Sequence, residues 1–114
     1  MDESPYFKLE IFGPAEAVED ILAALAATHA GEIGNYDHCS SITPVQGTYR
    51  PLEGAQPAIG EVGKMFYGSE VKIEVNCREK YLMEAIQAVR DVHPYEEPVI
   101  NVIPLANARY GATQ

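Results

Sequence analysis

Residues 8–29, KLEIFGPAEAVEDILAALAATH, and residues 72–93, KIEVNCREKYLMEAIQAVRDVH, decide the fold. Laid over one another without a gap, at an offset of 64, they place Lys8, Glu10, Ala24 and His29 on identical residues at Lys72, Glu74, Ala88 and His93. Leu9, Ile11, Val18 and Leu22 fall on Ile73, Val75, Leu82 and Ile86. Each copy opens as a strand. Phe7, Leu9 and Ile11 alternate with Lys8 and Glu10, and Val71, Ile73 and Val75 with Lys72 and Glu74, a period of two that gives one apolar face. Each copy then becomes a helix. Val18, Ile21, Leu22 and Leu25 form an i, i+3, i+4, i+7 stripe, and so do Leu82, Ala85, Ile86 and Val89. Gly13-Pro14 punctuates the first junction, with Pro14 suited to the first helical turn. Gly31 is expected to close the first helix and Pro94 to stop the second.

Working outward, His38–Val45 and Val99–Ile103 supply a third and a fourth strand. The order is then β-α-β-β-α-β, the split βαβ pattern of ferredoxin-like folds. This predicts an α+β fold, a four-stranded antiparallel sheet with both helices on one face. The other face would carry Tyr6, Lys8, Glu10, Phe12, Lys72, Glu74 and Asn76, a mixture of aromatics and opposite charges that suits a subunit interface. Residues 46–70, rich in Gly and Pro, read as a long excursion between the two halves. Its Tyr49, Pro51, Pro57, Met65, Phe66 and Tyr67 are too apolar for a free loop, so it is expected to contact a neighbouring subunit or to cap a cleft between subunits.

The chain of 114 residues suits a single domain spanning 1–114, with 46% apolar and 22% charged residues. The net charge of −9 opposes nucleic-acid binding, since that field repels phosphate backbones. No apolar run approaches the roughly 20 residues of a membrane span. The first residues, Met-Asp-Glu-Ser-Pro, lack the basic and apolar regions of a secretory signal, so a cytoplasmic location is expected. Cys39 and Cys77, the two cysteines, are then expected to be free thiols.

Two segments carry the candidate chemistry. The first runs Gly31-Glu-Ile-Gly34-Asn-Tyr36-Asp-His38-Cys39-Ser40-Ser41; the second is His93-Pro94-Tyr95-Glu96-Glu97-Pro98. His38, Cys39, His93, Glu96 and Glu97 supply nitrogen, sulfur and oxygen donors suited to a divalent metal such as zinc or copper. Neighbouring strand residues point to opposite faces, so His38 and Cys39 would each need partners from the second segment, in the same chain or another subunit. The structural alternative is His93 capping a helix end, Glu96 and Glu97 accepting backbone N–H bonds, and Cys39 as a small buried hydrophobe. No nucleotide-binding glycine motif is present, and Gly60-Glu-Val-Gly63-Lys64 matches neither phosphate loop. Cys39 with a histidine could nominally make a cysteine-dependent enzyme, but nothing in the sequence orients the base.

These two segments, with Gly47-Thr-Tyr-Arg-Pro51, Gly54-Ala-Gln-Pro57 and Ile59-Gly60-Glu61-Val-Gly63, resemble the insertion domain of the Nif-three-like (YqfO-type) family and its free-standing relatives. The resemblance covers roughly residues 6–105. It implies a CutA/PII-like fold that assembles as a homotrimer through its sheets. It also implies that the dinuclear metal core flanking this domain in full-length members is missing here, so no catalytic residue carries over. The expected function is a non-enzymatic, oligomeric binding or regulatory module, with a metal ion or small ligand between subunits. A PII-like nucleotide-binding signalling protein and a cysteine-dependent enzyme are the alternatives.

Overall fold

The computed structural model describes residues 5–112. Strands β1 (Tyr6–Gly13), β2 (Ser41–Tyr49), β3 (Phe66–Arg78) and β4 (Ile100–Pro104) form one antiparallel sheet in the order β2-β3-β1-β4. Helices α1 (Val18–Ala27) and α2 (Leu82–Val92) each follow a central strand through a 3-10 turn. The repeat offset of 64 holds in three dimensions: it carries the turn Ala15–Ala17 onto the turn Glu79–Tyr81, and the start of α1 onto the start of α2.

The core follows from the strand alternation. Leu9 pairs with Val75 and Ile11 with Ile73 across the β1–β3 ladder. All four are buried and lie against Ile21, Leu25, Ala85 and Val89 of the helices. Burying each large side chain is worth about 1.5–3 kcal/mol, so this layer supplies most of the driving force. On the opposite face the same register lines up Lys8 with Asn76, Glu10 with Glu74 and Phe12 with Lys72, as the sequence predicts. Tyr6 departs from the expected exposure and is buried, with the Arg78 guanidinium over its ring and an Arg78 Nε donor to its hydroxyl at 3.0 Å.

Several boundaries move. Residues 37–40 lie outside β2, and His38 adopts the left-handed region at φ 58°, which a strand forbids. β2 instead runs on to Tyr49 and β3 begins at Phe66, so the expected excursion 46–70 shrinks to residues 50–65. Its two flanks form a two-stranded arm beyond the end of β1, since Gly13, the last residue of β1, pairs with Val71. Gly31 does not close α1. The helix ends at Ala27, with Thr28 as its cap, and His29 takes the left-handed position at φ 69°. α2 ends one residue before His93, which is extended because it precedes Pro94.

Gly31 has a different task. It sits at φ 84°, its N–H donates to Asn76 O at 2.9 Å, and its own carbonyl receives Cys39 N–H at 3.0 Å. A Cβ there would lie 2.7 Å from the Cys39 carbonyl oxygen. Gly31→Ala therefore combines left-handed strain of roughly 1–2 kcal/mol with a backbone clash. A urea midpoint lowered at constant m is expected; an unchanged midpoint would contradict this role.

Candidate functional site

The structure sets the two sequence segments at opposite ends of the sheet. Cys39 is tied through Gly31 to Asn76, which faces Lys8 on β1. His93 is tied to Phe12, four residues further along β1, about 13 Å at the rise of a strand. The expected meeting of the two loops therefore does not occur within one chain. Among the described residues no three His, Cys, Asp or Glu side chains gather as a metal-holding group.

At the Phe12 end, His93 is buried over Gly13, where a Cβ would stand 2.9 Å from its Nε2. Its Nε2–H donates to Phe12 O at 2.7 Å, and its Nδ1 accepts Tyr95 N–H at 3.1 Å. Those two bonds fix the neutral Nε2–H tautomer and leave neither ring nitrogen free for a metal. The loop after it fastens the arm. Tyr95 OH donates to Glu70 Oε2 at 2.5 Å, and Gln56 N–H donates to Glu96 Oε1 at 3.0 Å. Burial first, then the bond to Glu70 and its charge, push the Tyr95 phenol far above its ordinary value. Tyr49 stacks on Phe66 at 4.7 Å between ring centres, and its hydroxyl bonds Ile59 O, which ties down the 50–65 loop. Burial and the Glu70 charge raise the Tyr49 phenol as well. The Glu70 carboxylate occupies the space that a side chain on Gly47 would fill. Glu97 is exposed and makes no bond to another described residue.

At the other end, residues 33–36 form a tight turn closed by Ile33 N–H to Tyr36 O at 2.8 Å and Tyr36 N–H to Ile33 O at 2.9 Å. His38 is exposed, and its Nδ1 is paired with Asp37 Oδ1 at 2.9 Å. Cys39 is half-buried and lines two cavities. One, of about 30 Å³, is apolar and lies under α1, against Leu22, Leu25 and Ala30. The other is a cleft of about 290 Å³ on the open sheet face, floored by Lys8, Glu74 and Asn76 and walled by Ser40, Ser41 and Ile33. In it Lys8 Nζ pairs with Glu74 Oε2 at 3.3 Å, and Lys72 Nζ approaches Glu74 Oε1 at 3.8 Å.

Sequence reasoning passed over Glu70 and this cleft, and assigned Tyr49 to contacts between subunits, where it packs on Phe66 within its own chain. The alternation already placed Lys8, Glu74 and Asn76 on one face, but only the chain path brings Ser40 and Ser41 beside them. Both cysteines are free thiols.

No family model matches the chain. It is 38% identical over 101 residues to the GTP cyclohydrolase 1 type 2 homolog of Bacillus subtilis, covering 89% of this chain and 27% of that protein. Against the protein of the same name from Listeria innocua it is 40% identical over 108 residues, 93% and 29% of the two chains. The chain thus spans little more than a quarter of the relatives it matches. A Bacillus cereus protein related to NIF3 superposes with a TM-score of 0.76 at 34% identity, over 88% of this chain and 25% of that one. CutA of Archaeoglobus fulgidus, a periplasmic divalent cation tolerance protein, superposes with a TM-score of 0.64 at 22% identity, over 88% and 83%.

A four-stranded antiparallel sheet backed by two helices, in this order, is the α+β architecture of CutA-like proteins. Within it, the chain is homologous to one segment of the longer Nif-three-like proteins. No helix among the described residues is long and apolar enough to cross a membrane.

Two outcomes follow from this geometry. Tyr95→Phe removes a hydrogen bond to a carboxylate, worth about 1.5–3 kcal/mol. Amides of the arm, residues 45–49 and 66–71, should then exchange at least roughly tenfold faster while those of β1 keep their protection; unchanged arm exchange would remove the clasp. Burial first, and the Glu32 charge second, push the Cys77 thiol up to about 11. Alkylation of the folded protein at pH 8 should modify Cys39 and spare Cys77, whose rate should climb until pH reaches about 11. Because that thiol is raised in the fold, its contribution to stability is full below its unfolded value and fades as pH rises toward about 11.

Proposed function

We propose that the chain is a non-catalytic binding or regulatory module, cytoplasmic and homotrimeric, with its open sheet faces turned toward a three-fold axis and a small ligand or divalent metal ion held between subunits. The observation that carries this reading is the state of the sheet. β2 and β4 are edge strands whose residues are exposed or half-buried, among them Ile42, Val102 and Ile103. β4 bears no charged residue to blunt its edge, and such strands pair with further strands. On the open face Lys8 and Lys72 offset Glu10 and Glu74, so the net charge of −9 does not keep copies apart there.

The absence of catalysis is supported by the thiol's surroundings: the His38 ring turns to Asp37, and His93 lies at the far end of the sheet, bound to Phe12. The activity in the relatives' names belongs to proteins of which this chain spans about a quarter.

The metal reading draws on the name of the divalent cation tolerance protein with the same fold. Its donors would be His38 and Cys39 of one copy with Glu96 and Glu97 of a neighbour; His93 joins only by giving up a hydrogen bond.

Native mass spectrometry on protein purified without chelator, beside light scattering, tests both parts. A trimer mass is expected, with zinc or copper in stoichiometric amount that Cys39→Ser removes. A monomer at micromolar concentration would overturn the assembly, and a metal-free trimer that takes up no added zinc would overturn the metal reading.

A further inference from the structure

The cleft of about 290 Å³ beside Ser40 has the makings of a binding site that neither motif announces. Its walls are set in advance. The Ile33–Tyr36 turn is closed by two hydrogen bonds of its own, and the Cys39 backbone is fastened to Gly31. The Asn76 carboxamide and the Ser40 and Ser41 hydroxyls bond to no other described residue. They stand as unused donors around the Lys8 ammonium.

The charges on the floor select the sign of the ligand. Lys8 and Glu74 form a part-exposed ion pair at 3.3 Å, a kind worth at most about 1 kcal/mol and easily opened. Glu74 has a second cation, Lys72 Nζ, at 3.8 Å. An anion can therefore take Lys8 while Glu74 turns to Lys72, and no charge is left alone. A cation taking Glu74 would strand Lys8 and meet Lys72 as well. The nearby Glu74 carboxylate also favours a single negative charge over two. Ile33 and the Cys39 side chain leave room for a short apolar tail.

We propose that this cleft binds a small organic monocarboxylate, its carboxylate held by Lys8 Nζ, the Asn76 amide and the serine hydroxyls. The residues of the site all belong to one copy and need no metal; they lie on the sheet face that the proposed trimer turns toward its axis, so the cleft would open between subunits there.

The test is a titration of the isotopically labelled protein, followed by amide chemical shifts, with pyruvate, acetate, inorganic phosphate and methylammonium as probes. Pyruvate and acetate should shift amides of residues 8, 39–41 and 74–76 saturably, with dissociation constants in the millimolar range of about 1–10 mM. Phosphate and methylammonium should bind at least roughly tenfold more weakly. Lys8→Gln and the near-isosteric Asn76→Asp should each weaken pyruvate at least roughly tenfold, with thermal midpoints showing that both variants remain folded. Glu74→Gln should tighten it by freeing Lys8. The absence of saturable shifts at these residues would overturn the proposal. So would phosphate binding as well as the carboxylates, or binding indifferent to Lys8→Gln.

Discussion

Everything else in the molecule hangs on the β1–β3 ladder, Tyr6–Gly13 against Val71–Arg78. This pair is central in the sheet, and its eight-residue register decides which side chains meet on each face. Leu9, Ile11, Ile73 and Val75 go to the helices, and a slip of one residue would send the apolar set to the open face. The same register brings Lys8, Glu74 and Asn76 together as the cleft floor. It also leaves the first residues of β3 without β1 as a neighbour, which creates the arm.

A two-stranded ribbon that leaves its sheet is marginal by itself. Here its side chains and the loop after α2 hold it. Tyr49 stacks on Phe66, Glu70 fills the space over Gly47, and Tyr95 reaches Glu70 from that loop. His93 anchors the loop to the sheet through Phe12 and, through its other ring nitrogen, orients Tyr95. The segment that reads as a set of metal donors thus acts, within one chain, as a fastening between the second helix and the arm. The Gly31–Ser41 segment is built differently. It caps the end of the sheet, and in doing so it walls the cleft of the open face.

These two ends differ in what they offer chemically. At the His93 end hydrogen-bonding capacity is mostly consumed internally: Glu96 takes Gln56 N–H, and Glu97 faces outward with no bond to another described residue. At the Cys39 end hydroxyl, amide and ammonium groups are assembled but unspent. A binding role therefore has its firmest footing at the cleft, and an assembly role along the open edges of β2 and β4.

The sequence by itself determined the strand–helix repeat, the face assignments and the element order, because these depend on short-range periodicity that each residue carries in its own neighbourhood. Gly13-Pro14 and His93-Pro94 marked the junctions for the same local reason. Tertiary structure alone decided the rest. The arm was hidden because Gly47 and Gly68, opposite one another in the ladder, carry no side chain to show alternation; Glu70 and Phe66 use that space. His29 and His93 hold equivalent repeat positions, yet one lies exposed on Tyr81 and the other is buried over Gly13. Whether the two motifs meet, and which unspent donors share a cleft, depends on contacts between residues far apart in the chain, and no local pattern encodes those.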